Sequence, residues 1–320
     1  MDQKEIDERS SLTANSKFEL MLFRLGVSPD SDRSEIYGIN VFKLRELMAM
    51  PPINTIANSP PHMLGMANIR GQLIPVIDLP AVLGCKPKTG LNILMVTEFA
   101  RTTQAFAVEE VDEIVRLNWS QVRAAEGAAS GGGTITSIAQ IDDESGNPRL
   151  ALVLDVEQIL RSVMPSEIEE IAEEERDGLP ALPPGAVILV ADDSSAARML
   201  IGNCLDTMKL PYVMTKTGQE AWEKLQELGD AAQAAGQAIA DKVALLLTDL
   251  EMPEMDGFTL TRRAKSDARF RQIPVVIHSS LSGATNEDHV RGAGADAYIP
   301  KFRPGELAAT LRDVLTRTLR

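Results

Sequence analysis

Three short apolar runs in the second half of the chain end on residues that can do chemistry. AVILVA runs into Asp192-Asp193, VALLLT into Asp249, and PVVIH into Ser279-Ser280. Carboxylates gathered at strand ends repel one another, and a divalent cation among them offsets that repulsion. Hard oxygen ligands with room for waters suit Mg2+. A carboxylate beside such a cation can attack phosphorus and form an acyl phosphate, because the cation neutralises charge on the incoming group. A lysine at a neighbouring strand end would pair with the new phosphate, and AYIPK supplies Lys301. Ser279 is placed to hydrogen-bond a phosphate oxygen. Each residue alone has an ordinary explanation: an Asp pair before a helix is usually a cap, the serine a loop hydroxyl, the lysine a solvated charge. The combination points to phosphoryl transfer.

Such a site needs elements that bring these strand ends together. Between the apolar runs lie stretches with helical spacing: Arg198, Leu200, Ile201, Leu205 and Met208 in one, Ala221, Trp222, Leu225 and Leu228 in another. Buried strands alternating with helices predict an α/β doubly wound parallel sheet covered on both faces. In such a sheet, ligands sit at the carboxyl ends of the strands. The Ala-rich stretch AAQAAGQAIAD (231–241) reads as an extended helix or a loop insertion.

The first half has a different texture. Residues 1–15 are polar and charged, as expected of a flexible tail. From Phe18 onward, short apolar stretches alternate with turn signals: FELMLFRL, YGINVF, IRGQLIPVIDL, LNILMVTE, QAFAVEEVDEIVRL, TITSIAQI and RLALVLDV. Many short strands at this spacing predict an antiparallel barrel or sandwich. Gly71 suits a tight hairpin, and Pro75 within a strand predicts an edge or a bulge. Ser130-Gly131-Gly132-Gly133 lacks the Lys-Ser/Thr of a phosphate loop and reads as a flexible loop. His62 is the only histidine of this half and has no partner at metal-ligand spacing. With no catalytic constellation, the first half reads as a binding module. Residues 165–185 (PSEIEEIAEEERDGLPALPPG) are acidic and then Pro-rich, and divide the chain.

Bulk properties narrow the partners. The chain has 320 residues, enough for two domains, and a net charge of −14. That charge disfavours nucleic acid and anionic lipid surfaces. No apolar run is long enough to span a membrane, and the N-terminus has no signal-peptide core, so a cytoplasmic location is expected. Cys85 and Cys204 have no neighbouring cysteine and read as reduced, packed thiols.

The second half, 186–320, resembles a CheY-type response-regulator receiver domain, whose four signatures match ILVADDSSAARML, LLLTDLEMPEMDG, PVVIHSS and AYIPK in order. The resemblance implies a five-stranded sheet with Asp249 as phosphoacceptor. It also implies Asp192, Asp193, Asp249 and the backbone carbonyl of Glu251 around Mg2+, Ser279 as switch hydroxyl, Lys301 as phosphate partner and Tyr298 as rotating aromatic. Lys301-Phe302 stands where the family has Lys-Pro, and Leu281, two past the switch serine, cannot act as an acid or base. Residues 16–164 resemble the CheW domain, an all-β pair of five-stranded SH3-like barrels. The matching stretches are FELMLFRLG, YGINVFKLRELM, PPHMLGMANIRGQLIPVIDL and ALVLDVEQIL. This implies binding to methyl-accepting chemoreceptors and to the histidine kinase CheA, with Arg70 and Glu46 at the partner-facing region or paired to support it.

The combination resembles the CheV family. It implies a non-enzymatic signalling adaptor in which phosphorylation of Asp249 tunes receptor–kinase coupling and so gives adaptation. On that reading the last strand and its flanking helices would dock on or release the first domain. A phosphate sink that drains the kinase is the competing reading. A DNA-binding regulator is disfavoured, because no helix-turn-helix pattern or basic patch is present.

Overall fold

The computed structural model describes residues 17–28, 32–99, 102–125, 131–142, 148–164, 181–279, 292–301 and 303–318. The acidic stretch before the Pro-rich segment, Leu281 and Phe302 lie outside them. No helix among the described residues is long and apolar enough to cross a membrane.

The first half folds into two sheets. One contains β1 (Phe18–Arg24), β2 (Ile36–Asn40), β9 (Glu110–Leu117), β10 (Val122–Ala124), β11 (Ile135–Asp142) and β12 (Pro148–Leu154), in the order β10-β11-β12-β2-β1-β9. The other contains β3 (Leu44–Ala49), β4 (Ile53–Asn54), β5 (Met63–Ile69), β6 (Gln72–Asp78), β7 (Ile93–Phe99) and β8 (Thr102–Val108), in the order β3-β7-β8-β6-β5-β4. Each has six strands where five are expected. The short β10 and β4, at the sheet ends, are too brief to leave a periodic signal. The single run QAFAVEEVDEIVRL splits at Glu109 into β8 and β9, which lie in different sheets.

A shared core ties the two sheets together. Met21, Phe23, Tyr37 and Leu154 from one sheet pack with Ile77, Met95 and Phe106 from the other. The helix α2 (Val156–Val163) closes this core with Val156, Ile159, Leu160 and Val163; a short α1 spans Leu79–Leu83. Met48 and Met50 lie against the core of the second sheet and Met63 against the shared core.

The β5–β6 hairpin shows why the sequence reads Asn-Ile-Arg-Gly. Ile69 pairs with Gln72, so Arg70 and Gly71 alone make the turn, with φ of 50° and 85°. Two consecutive positive φ angles are those of a type I′ turn, whose twist matches the strands. The Asn68 side chain accepts from Gly71 N at 3.0 Å. β6 is an interior strand rather than an edge, but its pairing with β8 begins only at Val76, so Pro75 sits where that side of the strand is unpaired.

The second half is the expected parallel sheet. Its strands are β13 (Val187–Ala191), β14 (Tyr212–Thr215), β15 (Val243–Thr248), β16 (Val275–Ser279) and β17 (Ala297–Pro300), in the order β14-β13-β15-β16-β17. Every residue of β15 and β16 is buried, as a sheet covered on both faces requires. The helices are α3 (Ser195–Thr207), α4 (Gly218–Ala234), α5 (Gly257–Ser266) and α6 (Pro304–Thr318). The Ala-rich stretch extends α4 to Ala234 before a single 3-10 turn leads into β15.

His278 on β16 is buried, its Nδ1 has no hydrogen-bond partner among the described residues, and burial, reinforced by the charge of Lys301, pushes its pKa down to about 3. Below about pH 6.5 the unfolded chain binds a proton here that the folded chain refuses, so stability falls as pH drops from there toward 3. At ~1.4 kcal/mol per pH unit, about 2 kcal/mol should be lost between pH 6.5 and 5 through this group. Urea midpoints at those two pH values, in wild type and His278→Leu, measure it; identical pH dependence in both would remove His278 as the cause.

Candidate functional site

The parallel register brings the reactive residues to one end of the sheet. Asp192 follows β13, Asp249 follows β15, Ser279 ends β16 and Lys301 follows β17. Backbone bonds fix these ends against one another: Asp249 N donates to Ala191 O at 2.8 Å, and Lys301 N donates to Ser279 O at 2.9 Å. The chain leaving Asp249 loops back so tightly that Gly257, the first residue of α5, lies on the Asp249 carbonyl. A Cβ there would sit 2.0 Å from that oxygen. Asp256 caps α5, accepting from Thr259 N.

Asp192, Asp193 and Asp249 each present an oxygen within 4.8 Å of the others. Lys301 Nζ lies 2.7 Å from Asp249 Oδ2 and 3.0 Å from Asp192 Oδ2, with its side chain fully buried. Among the described residues, that ion pair gives Asp192 Oδ2 no aligned hydrogen bond, and Glu251 Oε1 is also buried without one. Burial, then the Asp249 charge, pushes Asp193 up to about 7. Burial also pushes Glu251 up to about 8, with Lys43 opposing and Asp249 adding to the shift. Buried carboxylates that resist ionisation and lack donors are the surroundings a divalent cation would satisfy, so the donor set fits Mg2+.

The other expected residues are placed as follows. Ser279 is fully buried at its strand end. Tyr298 pairs with Ile277 in the sheet and packs against Leu250 and Ile277, with Phe258 and Ala295 beside it. Arg70 and Glu46 are in the first domain, on the β5–β6 hairpin and on β3, and are paired: Arg70 Nη2 lies 2.7 Å from Glu46 Oε2. Cys85 and Cys204 are buried thiols, neither of them in a disulfide.

Four residues of the first domain also reach this region, and sequence reasoning missed them. Asp155, the cap of α2, accepts from Ser194 Oγ at 3.1 Å and from Ser195 N at 3.0 Å, at the start of α3. Glu157, in the first turn of α2, lies 3.4 Å from Lys301 Nζ through both its oxygens. Lys43 lies 3.6 Å from Glu157. Gly133 O accepts from Ser195 Oγ at 3.4 Å. An acidic pair opening an apolar helix reads as a cap, and the only signal that could have marked it is Glu157, an acid at a position now wholly buried.

Residues 19–164 match the family model of the CheW-like domain, and residues 188–312 match that of the response regulator receiver domain. The chemotaxis protein CheV2 of Helicobacter pylori is 27% identical across 98% of this chain and 99% of its own length. CheV1 of the same organism is 28% identical across 97% of both. The chain belongs to the CheV family. Its receiver domain is also 35% identical to the chemotaxis protein CheY1 of Helicobacter pylori, over 95% of that protein and 40% of this chain. The acidic end therefore belongs to the receiver of a CheV-type chemotaxis coupling protein, and the four unexpected residues belong to its CheW-like domain.

Proposed function

We propose that this chain couples chemoreceptors to the histidine kinase CheA, and that phosphorylation of Asp249 tunes the coupling. The observation that carries the proposal is the buried Lys301 ammonium 2.7 Å from the Asp249 carboxylate, inside an aspartate triad. In this reading residues 16–164 form the coupling domain and 186–320 the receiver, joined by 165–185.

Asp192, Asp193, Asp249 and the Glu251 carbonyl would hold Mg2+, which when bound neutralises charge on the phosphoryl oxygens. An Asp249 oxygen attacks phosphorus of a phosphohistidine. The P–N bond breaks, and its electron pair leaves with the imidazole, which takes up a proton. Lys301 passes from the carboxylate to a phosphoryl oxygen, and the Ser279 hydroxyl donates to another. Movement of Ser279 lets Tyr298 follow. A local charge event thereby biases a larger element.

The Arg70 side chain is 80% exposed and the Glu46 side chain 21%. A pair this exposed is worth at most ~1 kcal/mol to stability. That supports a place for both residues in the surface offered to receptor or kinase.

The test is kinase output in receptor–kinase arrays, at the membrane face where this chain would be recruited, before and after phosphorylation of the chain. Output that changes with wild type and not with Asp249→Ala is the expected result. Output that follows only the loss of phosphoryl groups from the kinase would replace tuning with a phosphate sink.

A further inference from the structure

The receiver's acidic pocket is already covered from within the chain. Asp192, Asp249 and Lys301 are at most 4% exposed. The covering groups come from the CheW-like domain and carry both charges. Glu157, its side chain fully buried, sets a carboxylate against Lys301 at 3.4 Å. Burial opposes its ionisation, but Lys301 and then Lys43 hold its pKa below the usual range. Lys43, its side chain 15% exposed, supplies a cation whose field reaches Glu251 and Asp193. Asp155 clamps the seam by accepting from Ser194 Oγ and Ser195 N at the amino end of α3. Gly133 lets the two domains approach closely, since a Cβ there would lie 3.1 Å from Ser195 Oγ.

We infer that the CheW-like domain is a cap on the receiver's phosphoacceptor pocket, with Glu157 holding the Lys301 ammonium that a phosphoryl oxygen would need, so that capping and phosphorylation of Asp249 exclude one another. The inference rests on the proposed role of Asp249. Its physical content is a competition. A phosphoryl group brings a charge of about −1.5 to −2 into a pocket that already holds Glu157 and Asp192. Lys301 cannot satisfy both anions at one site, and Asp249, 4% exposed, offers little surface to a donor. The seam can open: among the described residues, none of the six apolar clusters takes side chains from both domains. Domains joined through polar contacts move relative to one another by default.

The test uses the full chain with acetyl phosphate and Mg2+, comparing wild type with Glu157→Arg. The arginine puts a cation against Lys301 and Lys43, and leaves the first turn of α2 on the surface of an intact domain. If nine-tenths of the wild type is capped, the variant should be labelled about tenfold faster. A second measurement follows the domains directly, with spin labels at Leu150→Cys and Met199→Cys, positions that are 59% and 46% exposed. Beryllofluoride with Mg2+ should lengthen their separation in wild type and leave it unchanged in Asp249→Ala. Equal labelling rates together with an unchanged separation would overturn the cap and leave the role of Asp249 standing. No label on Asp249 in either protein would overturn that role, and the cap with it.

Discussion

Lys301→Met is expected to lower the stability of the receiver by about 3–5 kcal/mol, the range for leaving a buried ion cluster without one of its signs. The ammonium touches Asp249, Asp192 and Glu157 at 2.7, 3.0 and 3.4 Å, all inside the protein. Methionine is unbranched and one atom shorter, so most of the packing is conserved while the charge and its N–H donors are removed. Three carboxylates would then face one another with Lys43 as the nearest opposing charge. Two controls separate this from a packing effect. Mg2+ should restore part of the loss by neutralising Asp192 and Asp249, and lowering the pH should do the same by protonating Asp192, which burial already holds toward its neutral form. Urea unfolding read through Trp222, in a Trp119→Phe background, isolates the receiver, because Trp222 packs there against Phe270. A midpoint shift worth less than ~1 kcal/mol, or one that Mg2+ leaves untouched, would mean that the cluster is not electrostatically coupled as the distances indicate.

Gly257→Ala is the second large effect. The added methyl would stand 2.0 Å from the Asp249 carbonyl oxygen, 2.9 Å from its carbon and 3.0 Å from Leu250 Cα. All three are backbone atoms, so no side-chain rotation relieves the contact. Overpacking of this kind costs about 1–3 kcal/mol and sometimes more, and with only backbone to yield the upper end is expected. The strain must be released by moving either α5 or Asp249, and the Gly257 N–H bond to Leu250 O at 2.9 Å ties both to the same turn. The expected signature is therefore joint: lower stability through the Trp222 probe, and slower phosphoryl labelling from acetyl phosphate. A destabilised variant that labels at the wild-type rate would show that the turn absorbs the strain without disturbing the carboxylate.

The receiver was far more legible in the sequence than the coupling domain. Its strands are unbroken apolar runs because both faces are covered, and its reactive residues follow those runs directly, so local pattern and site coincide. Asp192, Asp193, Asp249 and Lys301 could be placed for that reason, and the structure brings them together. In the first half, strands of two or three residues such as β4 and β10 carry no period. The parallel pairings β2–β12 and β6–β8 join segments far apart along the chain. The contact between domains was illegible for the same reason in stronger form. Lys301 and Glu157 are 144 residues apart, and each looks locally ordinary. Gly133 reads as part of a loop, and nothing in the stretches around Lys43 and Asp155 singles those two residues out. Asp155 caps α2, accepting from Gln158 N at 2.9 Å, and the same carboxylate serves the start of α3. Sequence reasoning placed the movable surface beside the last strand, whereas the described contacts between domains lie at the acidic end.

A seam made of charges rather than apolar surface has a thermodynamic consequence. The attraction of buried ions is largely cancelled by the cost of drying them. The joined and separated arrangements of the two domains should therefore differ by only a few kcal/mol, with both populated. A greasy seam would fix one arrangement, and no single charge could reverse it. Here the balance is shallow, and reversing a 99:1 population takes ~5.5 kcal/mol, within reach of one doubly charged group meeting Glu157 at close range. The chain would then report the fraction of time Asp249 spends modified as a graded ratio of two shapes.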